Sequence, residues 1–308
     1  MDAGRVRSLI AAAFPELADA PVSRFAEGWV NELWRVGPVG AGGAVRTGRP
    51  DLLFRFPKRA ASAAGVGREM ALLKMIGPAL PTPVPDYRYV APAGALDYAW
   101  PFGGYPLIPG VPLAELPPGP GPANAALAAA VGRFLTDLHR FPVARVAGIG
   151  VPGGSPEAWH RSYDEWHGTM RDVIRPFLAP EELNRVDSRM TGFLADDGHF
   201  AFTPVLLHRD LGADHLLVDP QTLGLTGVID FEDAAVGDPA FDFTGLAGLG
   251  PGALDNYKGP SDAGFAERIE FYRRLVPLHE LLYGIEEGLP ERVAGGLLRL
   301  RRDLAGPA

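Results

Sequence analysis

Early in the chain one stretch breaks off regular structure after a short start. FGGYPLIPGVPLAELPPGPGP, Phe102 to Pro122, passes from a short apolar segment into a connector dense in proline and glycine. Proline lacks the amide that a helix or a sheet ladder needs, and glycine loses the most entropy in either. The chain must therefore fold as two unlike parts joined there. A length of 308 residues agrees with this division, because single cores stop growing at about 250–300 residues.

Before the connector the pattern is mostly that of strands. After an amphipathic first helix with Val6, Leu9, Ile10, Ala13, Phe14 and Leu17 at helical spacing, Ser23 to Gly37 reads as two strands turning at Glu27-Gly28. Asp51 to Arg59 reads as a third strand, ended by Pro57. A helix is expected over Gly65–Gly77, and strands over Tyr87–Val90 and Tyr105–Ile108. Beyond the connector, helices are expected over Ala123–Phe141, Ser155–Phe177, Pro180–Ala195 and within Phe265–Leu304. The expected organisation is α+β and bilobal: a β-rich lobe over 1–104, a hinge at 105–110 and a helical lobe over 111–308.

Within the helical lobe lies LLHRDLGADHLLVD, Leu206 to Asp219. His208, Arg209, Asp210, Asp214 and His215 sit between apolar runs that read as the two arms of one hairpin, and Leu225 to Ile229 reads as the return partner of Leu216–Val218 across a turn near Gly224. A buried strand pair has no use for so many ionisable groups. Phosphoryl transfer does: a carboxylate must orient the attacking hydroxyl, and metal-binding groups must neutralise phosphate oxygens. His208-Arg209-Asp210, then Ile229-Asp230-Phe231, follow the kinase order of His-Arg-Asp and a later Asp-Phe. A lone His-Arg-Asp is usually a surface turn or an internal ion pair. Two such motifs in order, each attached to a strand, point to the chemistry.

The chain resembles the aminoglycoside phosphotransferase and choline-kinase-like group of the protein-kinase-like fold, and more narrowly the aminoglycoside 2''-phosphotransferases. The resemblance rests on FRFPKRA (Phe54 to Ala60), REMALLKMI (Arg68 to Ile76), FGGYPLIPGVPL (Phe102 to Leu113), GRFLTDLH (Gly132 to His139), LLHRDLGADHLLVD and GVIDFEDAAVGDPAFDF (Gly227 to Phe243). The family's usual His-Gly-Asp is His-Arg-Asp here, and its usual Asn metal ligand is His215. The resemblance implies that Asp210 is the catalytic carboxylate and that His215 and Asp230 are the magnesium positions. It places the phosphate-holding cation at Arg55, with Lys58 past Pro57 as the alternative and Glu69 as the partner, and the phosphate lid at Ala26–Glu32 around Gly28. The purine of ATP or GTP is expected against Pro106 and Ile108, over a floor of Leu217 and Ile229. Asp238 is expected to cap a helix carrying Pro239 in its first turn, and Asp242 to brace the catalytic loop.

The expected partner is a small cationic molecule with a hydroxyl, an aminoglycoside by this resemblance. Glu232, Asp233, Asp255 and Glu280 are candidates for its ammonium groups. The stretch AGLGPGALDNYKG carries one acidic residue, Asp255, and suits a macrolide or a metabolite as well. A nucleotide-binding pseudokinase is the reading from another class. The substitutions at His215 and Arg55 favour it, and the joint presence of Asp210 and Asp230 favours an enzyme.

Bulk properties exclude little else. A net charge of −8 argues against nucleic acid. The absence of cysteine excludes disulfides and thiolate chemistry and agrees with a cytoplasmic protein. The first twenty residues carry charges throughout and read as no secretion signal, and no apolar run is long enough for a membrane span. The chain is expected to act as a monomer.

Overall fold

The computed structural model describes residues 1–27, 31–37, 51–94, 96–117 and 122–305. The first lobe is a five-stranded antiparallel sheet of β1 (Val22–Glu27), β2 (Asn31–Val36), β3 (Leu52–Pro57), β4 (Tyr89–Ala91) and β5 (Phe102–Pro106), in the order β1-β2-β3-β5-β4. Helix α1 (Ala3–Ala13) starts at Asp2, whose carboxylate accepts the Arg5 amide at 2.8 Å. Its Val6, Leu9 and Ile10 pack with Trp34, Val36, Phe54, Phe56 and Phe102 on one face of the sheet.

Helix α2 (Ala60–Ile76) lies on the other face and begins five residues before the expected Gly65. Ala60, Ala61, Ala63 and Ala64 supply the strongest helix formers there. Strand β5 likewise begins at Phe102 rather than Tyr105. Glycines look like loop in sequence, but these two are strand residues squeezed from both sides. A Cβ on Gly104 would lie 2.5 Å from the Phe54 ring, and one on Gly103 would lie 2.8 Å from Met70 and Tyr87.

The second lobe is built from α3 (Pro122–His139), α4 (Pro156–Ile174), α5 (Pro180–Leu194), α6 (Gly252–Asp255), α7 (Phe265–Glu286) and α8 (Pro290–Ala305). Set among them are β6 (Val111–Pro112), β7 (Val205–Leu207), β8 (Leu216–Val218), β9 (Leu225–Val228) and β10 (Ala235–Gly237). Phe134, Leu135, Leu138, Leu206, Leu216 and Phe231 belong to its continuous buried core. The architecture is the α+β, two-lobed arrangement expected.

The charged hairpin is not a hairpin. β7 pairs with β10, whereas β8 pairs with β6 and β9. Residues 208–215 therefore cross from one small sheet to another. Alternation of apolar and charged residues marks strands and loops but does not name their partners. The hairpin that does form is β8–β9, turning ahead of Leu225.

The connector joins the lobes at both ends. β5 pairs with β3 as far as Pro106, and β6 pairs with β8 from Val111. Ala114 also donates its amide to the Ala213 carbonyl at 3.1 Å, inside the 208–215 crossing.

Candidate active site

The crossing loop is shaped from beneath by one buried carboxylate. Asp242 is 1% exposed and lies in a 3-10 segment (Pro239–Leu249) capped by Asp238, which accepts the Ala240 amide at 3.0 Å. Asp242 accepts the amide of His208 at 2.9 Å and that of Arg209 at 2.7 Å. Its Oδ2 also lies 3.0 Å from Nε2 of His139, whose Nδ1 lies 2.8 Å from the Tyr257 hydroxyl. These contacts hold Arg209 at a φ of 71°, a left-handed conformation that costs a non-glycine residue energy. Gly245 lets the loop rest on the same segment, since a Cβ there would lie 2.4 Å from the Leu211 carbonyl oxygen.

His215 then gathers the two expected carboxylates. Its Nδ1 lies 2.6 Å from the Asp210 carbonyl oxygen and 3.6 Å from Asp210 Oδ2. Its Nε2 lies 3.7 Å from Asp230 Oδ2. The His215 carbonyl accepts the Ile229 amide at 3.0 Å, and Asp230 follows at a φ of 69°. The two strained residues thus flank the place where both carboxylates face the same imidazole.

From the first lobe, Arg55 on β3 enters this cluster. Its Nη1 donates to Glu69 Oε2 at 2.7 Å, and its Nη2 donates to Asp230 Oδ1 at 2.9 Å and Glu232 Oε2 at 2.6 Å. Glu69, on α2, also accepts the Tyr87 hydroxyl at 3.1 Å and, across the lobes, the Phe231 amide at 3.0 Å. Asn31 donates to Glu232 Oε2 at 3.2 Å, and Arg68 donates to the Glu232 carbonyl at 3.2 Å.

Burial works against the charge on Arg55, but Glu69, Asp230 and Glu232 outweigh it and keep the guanidinium protonated. Burial pushes Glu69 up, opposed chiefly by Arg55. Burial also disfavours ionised Asp230, yet Arg55 and then His215 hold that carboxyl below its usual value. Glu232 is pushed up to about 7, by burial against the pull of Arg55, with Asp230 and Glu69 adding. Asp210 is pushed up to about 6 by burial, opposed by His215 and reinforced by Asp233, Asp230 and Asp214. Its side chain is 62% exposed, so water screens part of that push.

At the residues expected to meet a purine, Ile108 and Leu217 are buried, and both meet Gly227 of β9. A Cβ on Gly227 would lie 2.7 Å from Ile108 Cγ2, so the connector packs flat on this strand. Pro106 stands opposite Leu52 at the end of β5, and Ile229 is half-buried beside the cluster. Gly28 falls outside the described residues.

The acidic candidates for an acceptor separate. Glu232 is engaged by Arg55, and Asp233 is exposed near enough to act on Asp210. Asp255 is exposed on α6. Glu280 turns from α7 toward α8, where it pairs with Arg299 and, at 3.8 Å, with Arg292. Sequence reading put Asn31 in the lid segment and missed that it, Arg68 and Tyr87 complete the Arg55 cluster. It also missed a hollow of about 500 Å³ between α4 and α7, lined by Trp166, Met170, Val173, Leu282 and Glu286. Within it His279 stacks on Trp166 with ring centres 4.7 Å apart. Arg209, beside Asp210, is near enough for its charge to act, after burial, on Tyr163 of α4 and His279 of α7.

Among the described residues no group of three or more His, Asp or Glu side chains stands ready to hold a metal ion. Magnesium needs no such group. It commonly takes one or two protein carboxylates and completes its shell with phosphate oxygens and water. Asp230 suits that role, while an imidazole at His215 is a poorer donor for so hard a cation.

Three comparisons bear on this geometry. Viomycin phosphotransferase of Streptomyces vinaceus is 28% identical over 153 residues, 48% of this chain and 52% of that protein, so the chain spans about half the length of this curated relative. The GDP complex of aminoglycoside 2'-phosphotransferase-IIIa superposes with a TM-score of 0.81 at 23% identity, covering 99% of both chains. Macrolide 2'-phosphotransferase MphH from Brachybacterium faecium superposes with a TM-score of 0.73 at 24% identity, covering 98% of this chain and 99% of that one. The two superpositions establish a shared fold. The sequence pattern of the phosphotransferase enzyme family matches residues 21–280, and the chain belongs to that family.

Proposed function

We propose that this protein transfers the γ-phosphoryl group of magnesium-bound ATP or GTP to a hydroxyl of a small cationic molecule, an aminoglycoside by preference. The carrying observation is the placement of Asp210 and Asp230 on either side of one imidazole, with Arg55 reaching Asp230 from the other lobe. Asp210 aligns the acceptor hydroxyl. The acceptor oxygen forms its bond to the γ-phosphorus as the bond to the β-bridging oxygen breaks, and Asp210 takes the hydroxyl proton late in transfer. Asp230 would hold the magnesium ion, which neutralises charge on the phosphate oxygens when bound. Arg55, steadied by Glu69, orients the phosphates, and Pro106, Ile108, Leu217 and Ile229 frame the purine. The reaction fits the cytoplasm, where both nucleotides are abundant, and a single chain carries every group it needs.

The α4–α7 hollow favours a second reading of the acceptor. Trp166, Met170, Val173 and Leu282 offer apolar surface, with Glu286 as one acid. That lining suits a macrolide, with its apolar ring and one amino sugar, better than a polycation. Relatives named for viomycin, aminoglycosides and macrolides are compatible with either.

A coupled nucleotide assay over kanamycin, gentamicin, viomycin and erythromycin decides between them. Acceptor-stimulated turnover with an aminoglycoside is expected, and stimulation by erythromycin alone would transfer the assignment to the second reading. Asp210→Asn should lower kcat by roughly 10²–10⁴-fold while still binding nucleotide. Full turnover in that variant would remove Asp210 from its role.

A further inference from the structure

Arg55 faces more acidic side chains than one guanidinium can keep fully ionised. Three carboxylates, those of Glu69, Asp230 and Glu232, share one guanidinium. This excess lies where the strand cation would take hold of a donor's phosphates. Two of the three cannot readily leave. Glu69 is fully buried and tied to the Phe231 amide and the Tyr87 hydroxyl. Asp230 is fixed by its left-handed backbone at the edge of the cleft. Glu232 is the most loosely tied: among the described residues its carboxylate accepts, besides Arg55, a hydrogen bond from Asn31 at 3.2 Å.

A second observation points to an absent occupant. Arg55 is 5% exposed, yet its Nε has no hydrogen-bond partner among the described residues. Oδ1 of Asn31, in a residue 4% exposed, has none either. Buried polar atoms without partners are rare and costly. The Arg55 Nε donor suits a phosphate oxygen, and the Asn31 Oδ1 acceptor suits a water that accompanies it.

We propose that Glu232 makes donor binding conditional on a divalent cation. In the free protein its carboxylate occupies Arg55 as a stand-in for phosphate. It gives up that place when phosphates arrive with their charge already balanced. A bare nucleoside diphosphate must instead displace one anion while meeting two more, in a poorly solvated cluster where like charges repel strongly. Glu232 is thus a specificity-determining residue that selects the metal-bound form of the donor. The inference rests on the phosphotransferase reading above.

The test is calorimetric titration of the full chain with GDP and with ADP, each in EDTA and in magnesium, so that no turnover intervenes. Wild type should bind the diphosphates at least ~10-fold more weakly in EDTA than in magnesium. Glu232→Gln, which keeps the shape and removes the charge, should tighten the EDTA arm and bring the two arms within ~3-fold. Glu232→Asp, too short to reach Arg55, should move the same way and replaces the first variant if that one melts early. An unchanged or weaker EDTA arm in folded variants overturns the inference. Equal arms in wild type overturn it while leaving the phosphotransferase reading intact. Failure of wild type to bind either diphosphate with magnesium overturns both.

Discussion

Asp210 and Asp242 are both aspartates of the crossing loop's surroundings, and their environments set them apart. Asp242 is sealed in the core with two amides and an imidazole on its oxygens, whereas Asp210 keeps an open face. The open carboxylate is the one available to a substrate. Because a proton acceptor must be ionised, activity should fall as pH falls through the Asp210 pKa. Burial and the nearby acids raise that value, and solvent screens the rise. The acid limb of kcat/KM is therefore expected between the ordinary aspartate value of about 3.9 and about 6. A pH profile with nucleotide as the varied substrate measures it, and a limb below the ordinary value would contradict the placement. Residues of this kind were legible in the sequence because short motifs carry them: His208 to Asp210, Ile229 to Phe231, and Asp238 with Asp242. The Asn31–Glu232 contact was not, since it joins positions 201 apart, and the stretches that hold the two residues do not say that they meet.

Elements were legible in type more than in partner or boundary. Helices with a long apolar stripe, such as α3 and α5, appeared close to where they were expected. Strand β5 did not, because its two glycines have the composition of a loop and the packing of a core. Gly104→Ala tests that packing. The added methyl would overlap the Phe54 ring in the middle of the first lobe, and overpacking of this sort costs about 1–3 kcal/mol. Urea unfolding should register that loss, and an unaltered midpoint would mean that Phe54 can turn aside. The false hairpin has a related cause. The apolar runs identify β7 and β8 as strands, and the nearby turn pairs β8 with β9, but the other partners, β10 of β7 and β6 of β8, lie outside the segment and are decided by tertiary packing.

At the scale of the whole molecule, the lobes meet through charged groups as well as through the connector. Glu69 reaches the Phe231 amide, and Arg55 reaches Asp230 and Glu232. A donor bound in this cleft should stabilise both lobes, by about 2.7 kcal/mol at a hundred times its Kd. Thermal melting with GDP should therefore rise, and rise further with magnesium. Asp230→Ala should abolish the magnesium increment. An increment that survives in the variant would place the cation elsewhere. The two-lobed arrangement itself could be read from the sequence, because the proline- and glycine-rich connector interrupts every regular pattern.

That connector is also a mechanical link. After leaving the first lobe's sheet it is stitched almost at once to β8, the strand that His215 precedes, and Ala114 fastens it to the crossing loop itself. Any tilt between the two halves must pull on the same backbone that presents Asp210. The segment proposed to meet the purine and the loop proposed to meet the acceptor hydroxyl are consequently joined by one short tether. A residue inserted between Leu107 and Gly110 would slacken that tether and be felt at the reacting end as well as at the base.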